Sequence, residues 1–238
     1  MIQLVAFLPV MLLCPACDNA KSSTSTTWPA ADEKLTVAVS IQPQIYFVQR
    51  IGGDRVDVHS VLSPGQSHGA FDPSGRQMER LKQAKAFFRI GVAFESVLIA
   101  KLRDMSPTVE VIDTRDGIQL LHLSEHHHDG APGESHDHAV GTAENGHVCG
   151  DNELDPHIWL DPDLVRVQAK MICAGLKQIA PQYSDEFNRN LVSFDDELVA
   201  MDARFMALFK PYKGRTVLVF HPSFAYFCKR YGLKQLVI

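Results

Sequence analysis

Positive charge is in short supply: 23 Lys and Arg stand against 28 Asp and Glu, a net charge of -5 at pH 7. A phosphate backbone calls for a basic face, so the charge balance argues against nucleic acid as the main partner. Long apolar runs are lacking as well, and the one at residues 2–14 is too short to span a bilayer comfortably. Neither a His-Glu-x-x-His helix nor a Gly-x-Ser-x-Gly elbow occurs, which removes two common hydrolase frameworks. Cysteine is scarce, five residues against eleven histidines. The ligand chemistry on offer is therefore imidazole nitrogen, mostly neutral at pH 7 and the commonest protein metal ligand. What remains is an ordinary globular composition: 238 residues, 45% hydrophobic and 21% charged, enough for one large domain or two lobes.

Residues 1–17 have the apolar core of a secretory signal, although no Lys or Arg precedes it. Cys14-Pro15-Ala16-Cys17 resembles a degenerate bacterial lipobox, which would make Cys17 a lipidated N-terminus; the alternative is a plain signal peptide. Residues 18–34 are rich in Ser, Thr and Ala and read as a flexible tether. Folded sequence begins at Leu35-Thr36-Val37-Ala38-Val39-Ser40-Ile41, a near-continuous apolar run of the kind found in buried parallel strands. Strands are predicted over 35–41, 56–62, 86–90 and 109–113, with helices over 43–51, 74–84 and 94–103. Ser74 is the candidate N-cap of the second helix, and Gly52-Gly53 stops the first. This alternation predicts an α/β lobe with a parallel sheet, the N-terminal lobe at 35–162.

Residues 114–152 break the pattern. They carry His122, His126, His127, His128, His136, His138 and His147 among Gly, Ser, Asp and Glu, so 122–152 reads as a His-rich loop and the whole stretch as a mobile excursion. A helical region follows at 163–210, with helices over 163–179 and 184–208 separated by Pro181. At about 1.5 Å per residue the second helix reaches nearly 40 Å, long enough to run along two lobes. Residues 211–238 then open a C-terminal α/β lobe: a strand over 216–220, a helix over 223–231 and the start of another strand at 236–238. One strand-helix unit cannot bury a sheet face, so this lobe is expected to be truncated.

The stretch around which the chain is organised is Glu153-Leu154-Asp155-Pro156-His157-Ile158-Trp159-Leu160-Asp161-Pro162. Each proline fixes its own φ and drives the preceding Asp out of the α region, predicting a stiff, extended segment around His157. A rigid backbone is what holds a metal ligand in place. Two further histidines occupy comparable positions: His68 in the loop after the second strand, and His221 at the carboxyl end of the strand over 216–220. Parallel sheets present their ligands there. A single strand-end histidine is more often a hydrogen-bonded structural residue, but three in equivalent topological positions predict a metal site. Three imidazoles leave a fourth position for water or a carboxylate, an arrangement that suits Zn²⁺. The rival is a His₃ metallohydrolase with Glu153 or Asp155 as general base; beside His157 those acids are better placed to orient the imidazole. Trp159, Phe71, Phe224, Tyr226 and Phe227 are expected to pack around the site. Cys149 is a stray ligand candidate, Cys173 a core residue, and Cys228 a thiol whose disulfide partner would lie in the missing part of the lobe.

From residue 35 to the end, the chain resembles the metal-binding solute-binding proteins of bacterial ABC importers for zinc and manganese, a family that includes some surface adhesins. The specific motifs are Asp155-Pro156-His157-Ile158-Trp159-Leu160-Asp161-Pro162 and Phe220-His221-Pro222-Ser223-Phe224-Ala225-Tyr226-Phe227. Pro64-Gly65, Phe71-Asp72-Pro73-Ser74 and Gly91-Val92-Ala93-Phe94-Glu95 support them. The resemblance implies two α/β lobes with parallel sheets joined by a long helix, the second lobe incomplete here, with metal bound between the lobes. It matches His157 and His221 to the family's second and third ligand positions. The first ligand position falls at Gly69, with His68 one residue earlier; a flexible Gly absorbs that slip, keeping His68 as the expected ligand. The last family ligand, an Asp or Glu, has no counterpart in this chain.

Imidazole favours Zn²⁺ and an oxygen-rich octahedral site favours Mn²⁺, so Zn²⁺ is the expected metal and manganese the alternative. In this family His-rich loops accompany zinc members, and the loop here is read as an auxiliary collector using His126, His127, His128, His136, His138 and His147. The expected partners are the zinc ion and the membrane permease of an ABC importer. The chain is expected to act as a monomer and not as an enzyme, in the periplasm or on the outer face of the cytoplasmic membrane. Adhesion would share the same metal site.

Overall fold

In the computed structural model, residues 34–63, 65–66, 73–122 and 154–238 are described. The first body is built on four strands, β1 (Leu35–Val39), β2 (Val56–Ser60), β3 (Ala86–Arg89) and β4 (Glu110–Asp113), all parallel in the order β2-β1-β3-β4. The β-branched, apolar β1 and the Phe-rich β3 take the two central places, where both faces are covered.

Strand alternation sends successive side chains to opposite faces. Val37, Val39 and Phe88 enter one core with α1 (Gln42–Gly52), α4 (Pro162–Ile179) and α5 (Ser184–Phe209). Ala38 and Phe87, their immediate neighbours, enter the other with α2 (Gly75–Lys82) and α3 (Glu95–Met105). The first body is thus a three-layer α/β sandwich, as its alternating pattern predicts. Ser74 caps α2 by accepting from the Gln77 backbone N–H.

The carboxyl ends of the central strands are tied by one buried carboxylate. Glu95 accepts hydrogen bonds from Ser40 Oγ (2.5 Å), Arg89 Nε (3.0 Å) and the backbone N–H groups of Ile90 and Gly91 (2.8 Å each). Gly91 is required there. Its φ is +92°, and a Cβ would lie 2.2 Å from Arg115 Nη1.

The α5 helix continues past the first body. Its first half contributes Phe187, Phe194 and Leu198 to the core, and its second half stacks Phe205 and Phe209 against Phe227 and Tyr231 of α6 (Ala225–Tyr231). Helix α6 connects β5 (Thr216–Val219) to β6 (Lys234–Val237), a parallel pair whose Leu218 and Leu236 are exposed.

Two expectations need correction. The Asp-Pro stretch is not extended throughout, because Ile158–Leu160 forms a 3-10 turn with Leu160 N–H donating to the His157 carbonyl. Proline constrains itself and the residue before it, which leaves residues 157–160 at liberty to turn. Nor is the whole of 114–152 an excursion. Thr114 is fully buried and donates to the Arg89 carbonyl (2.7 Å), and His122 pairs with Leu154 in an isolated antiparallel bridge. Residues 123–153, including the rest of the His-rich loop with His126, His127, His128, His136, His138 and His147, lie outside the described residues, as do His68, Gly69 and Phe71.

Candidate metal centre

The two Asp-Pro units use the same local device. Asp155 Oδ1 accepts the His157 backbone N–H (2.9 Å), and Asp161 Oδ1 accepts that of Asp163 (2.9 Å). Each is a carboxylate bonded two residues on, the turn that aspartate makes readily. The second starts α4, with Pro162 in its first turn. The first aims an imidazole.

His157 is 2% exposed, and its Nδ1 lies 2.6 Å from Asp155 Oδ1. Donation from Nδ1–H to the carboxylate leaves the lone pair on Nε2, the tautomer a metal needs. Trp159 flanks the ring at 5.0 Å between centroids. The other carboxylate oxygen, Asp155 Oδ2, is buried without a hydrogen-bond partner among the described residues. A buried anionic oxygen of this kind is costly, and a cation held by the adjacent imidazoles would offset it.

His221 arrives from the second body. It follows β5 after the 88% exposed Phe220, and its loop is tightened by Ser223 N–H donating to the His221 carbonyl (2.7 Å). The two Nε2 atoms stand 3.1 Å apart, with the rings at 74°. Two nitrogens bound at roughly 2.0–2.1 Å to tetrahedral zinc are separated by about 3.3 Å, so the pair needs only a few tenths of an ångström to bracket an ion. Burial, then the neighbouring His157, pushes the His221 imidazole below its ordinary value, which keeps it neutral and able to ligate.

Of the three histidines singled out in the sequence, the structure brings two together. Among the described residues no third His, Cys, Asp or Glu joins them in a cluster. Of the two acids proposed to orient His157, Asp155 is in contact and Glu153 lies outside the described residues. Cys173 and Cys228 are buried free thiols, both pushed up by burial.

Tyr226 does more than pack. Its hydroxyl donates to the Asp155 carbonyl (2.8 Å) and accepts the Leu121 N–H (2.9 Å). Arg230, one turn later, was overlooked in the sequence altogether. It forms a two-point pair with Asp202 (2.6 Å each) and reaches Asp161 (3.3 Å) and Asp163 (3.2 Å). The sequence marks Tyr226 only as an aromatic near the site and gives no signal for Arg230.

A family model described as zinc-uptake complex component A, periplasmic (ZnuA), matches residues 37–238. The chain belongs to that family. Among its relatives, the high-affinity zinc uptake system protein ZnuA of Yersinia pestis is 27% identical over 205 residues, covering 84% of this chain. A putative metal-binding protein of Chlamydia muridarum is 27% identical over 207 residues, covering 85% of this chain. The chain spans 64% of the length of each of these two curated relatives. A crystal structure of a ZnuA deletion mutant with zinc bound superposes with a TM-score of 0.72 at 32% identity, covering 87% of this chain and 70% of that one. The family description names a component of a zinc-uptake complex. Among the described residues no helix is long and apolar enough to cross a membrane.

Proposed function

We propose that this chain captures Zn²⁺ outside the cytoplasmic membrane and delivers it to the membrane permease of an ABC importer. The observation that carries the reading is the convergence of His157 and His221, from two separate bodies, to 3.1 Å between their Nε2 atoms. Asp155 behind His157 orients the ring and, by accepting Nδ1–H, makes Nε2 the better donor to an ion. Its ZnuA relatives are named for zinc uptake. Two imidazoles favour zinc over manganese, whose oxygen preference they do not meet.

In this reading His68 is the third ligand, brought to the cleft by the loop after β2. The histidines at 126–128, 136, 138 and 147 form a low-affinity collector that hands zinc to the cleft. A signal segment at 1–17 exports the chain, with Cys17 as the point of lipid attachment if the lipobox is used. Residues 35–162 form one lobe with α4 packed on its sheet, 163–210 contain the long helix that leads out of it, and 211–238 belong to a second. The chain works as a monomer. Calorimetric titration with Zn²⁺ and Mn²⁺ tests the reading: a tight zinc site that outcompetes manganese is expected, and tighter manganese binding, or no site for either ion, overturns it.

A further inference from the structure

Helix α6 has seven residues, too short to hold its shape alone, yet it carries the segment that places His221. Two of its side chains, Tyr226 and Arg230, lie four residues apart and so share one face. That face is fastened to the first body on either side of His157. Tyr226 is buried in the core of α2 and α3, and its hydroxyl closes a three-way junction: Asp155 N–H donates to the Leu121 carbonyl, while the hydroxyl takes the Leu121 N–H and gives to the Asp155 carbonyl. Arg230 reaches Asp161 and Asp163 at the start of α4, and Asp202 on α5 holds its guanidinium in a fork. Tyr231 adds a hydrogen bond to the same Asp202 (2.9 Å). The anchor points at residues 155 and 161 are the two aspartates of the Asp-Pro units that bracket His157.

We infer that Tyr226 and Arg230 form an interlobe clasp that presets the spacing between His157 and His221, and that both are positioning residues for the metal. The clasp rests on the zinc reading for its purpose but not for its existence. Its bonds are made entirely by the protein and close the two bodies together without an ion. A ligand pair held ready needs little ordering when the ion arrives, which raises affinity. Opening α6 would pull His221 away from His157 and let the ion go. The clasp is therefore the part that must yield on delivery.

The test uses the full chain with Tyr226→Phe, which keeps the buried ring, and Arg230→Gln, which keeps a polar side chain. Metal-free protein is followed by amide hydrogen exchange at Leu121 and along α6; zinc affinity and the absorption spectrum of the Co²⁺-substituted protein are measured beside it. In each variant the clasp predicts faster exchange at both places, including at Leu121 in Arg230→Gln, which Arg230 does not touch. It also predicts roughly 10- to 100-fold weaker zinc, as for other groups that orient metal ligands, and an altered Co²⁺ spectrum. Arg230→Lys should recover part of the protection. Exchange confined to the mutated contact, with affinity and spectrum unchanged, overturns the clasp. If wild-type protein binds no zinc while the coupled exchange persists, the clasp stands and the zinc reading fails.

Discussion

At the scale of single residues, the site turns on which nitrogen of each imidazole carries its proton. Asp155 settles this for His157 by taking Nδ1–H at 2.6 Å. Asp155→Asn keeps the size and can keep the acceptor, but removes the charge that makes the ring a better donor to metal. The expected result is roughly 10- to 100-fold weaker zinc with the fold intact, measured by competition with a chromophoric chelator. His157→Ala and His221→Ala each remove a ligand, and the tight calorimetric site should vanish in both. Binding is also pH-dependent with a definite sign. Protons compete for the ligating lone pairs, so affinity falls on acidification, and for His221 the fall begins below the ordinary imidazole value because burial holds its pKa down. The same shift acts on stability. The unfolded chain protonates His221 near pH ~6.5 while the folded chain does not, so this contribution is present above that pH and declines as pH falls below it. Zinc titrations between pH 5 and 8 check the first point, where a flat affinity would exclude a histidine-dominated site; urea melts of metal-free protein check the second. His157 and His221 were visible in the sequence because Asp-Pro pairs and a strand end announce rigid, ligand-presenting backbone. Tyr226 was visible only as an aromatic, since the main-chain groups it bonds are 71 and 105 residues distant in sequence.

At the scale of elements, the sheet and its helices follow from patterns that one strand or one helix contains by itself. The apolar run of β1, the cap at Ser74 and the stops at Gly52-Gly53 are local signals, and the elements lie where those signals put them. What misled was composition read without partners. Residues 114–122 are polar enough to look unstructured, but Thr114 and Leu121 are held by bonds to Arg89 and Tyr226. The turn at Ile158–Leu160 was hidden for a different reason, because proline's reach ends at the residue before it. Close approach between elements makes a stronger test. A Cβ on Gly175 of α4 would lie 2.4 Å from Ile112 Cδ1 and 2.9 Å from Phe88 Cε1, atoms of the sheet beneath. Gly175→Ala should therefore destabilise the first body by about 1–3 kcal/mol through overpacking, despite the better helix propensity of alanine. A urea midpoint at or above wild type would show that α4 can lift off the sheet without loss.

At the scale of the whole molecule, one helix does the joining. The 26-residue α5 runs about 39 Å, with one half in the core of the first body and the other under the aromatic stack of α6. An ion held by His157 from one body and His221 from the other adds a connection beyond α5 and the contacts of Tyr226 and Arg230. Such an ion binds the folded, closed chain and not the unfolded one, so it must raise stability in step with its affinity. At a free concentration about 1,000 times Kd the gain is about 4 kcal/mol. For a folded unit of about 150–250 residues that is a rise in Tm of about 8–16 °C. The size of the shift distinguishes a bridging site from a surface one only when the ligands are tested separately. Loss of His221, only partly shielded on the cleft side and a member of neither core, should cost the metal-free protein little but abolish the zinc-dependent rise as completely as loss of buried His157. Calorimetric scans of wild type, His157→Ala and His221→Ala with and without zinc decide it. A full rise surviving in His221→Ala would place the stabilising ion wholly within the first body and remove the second body from the site.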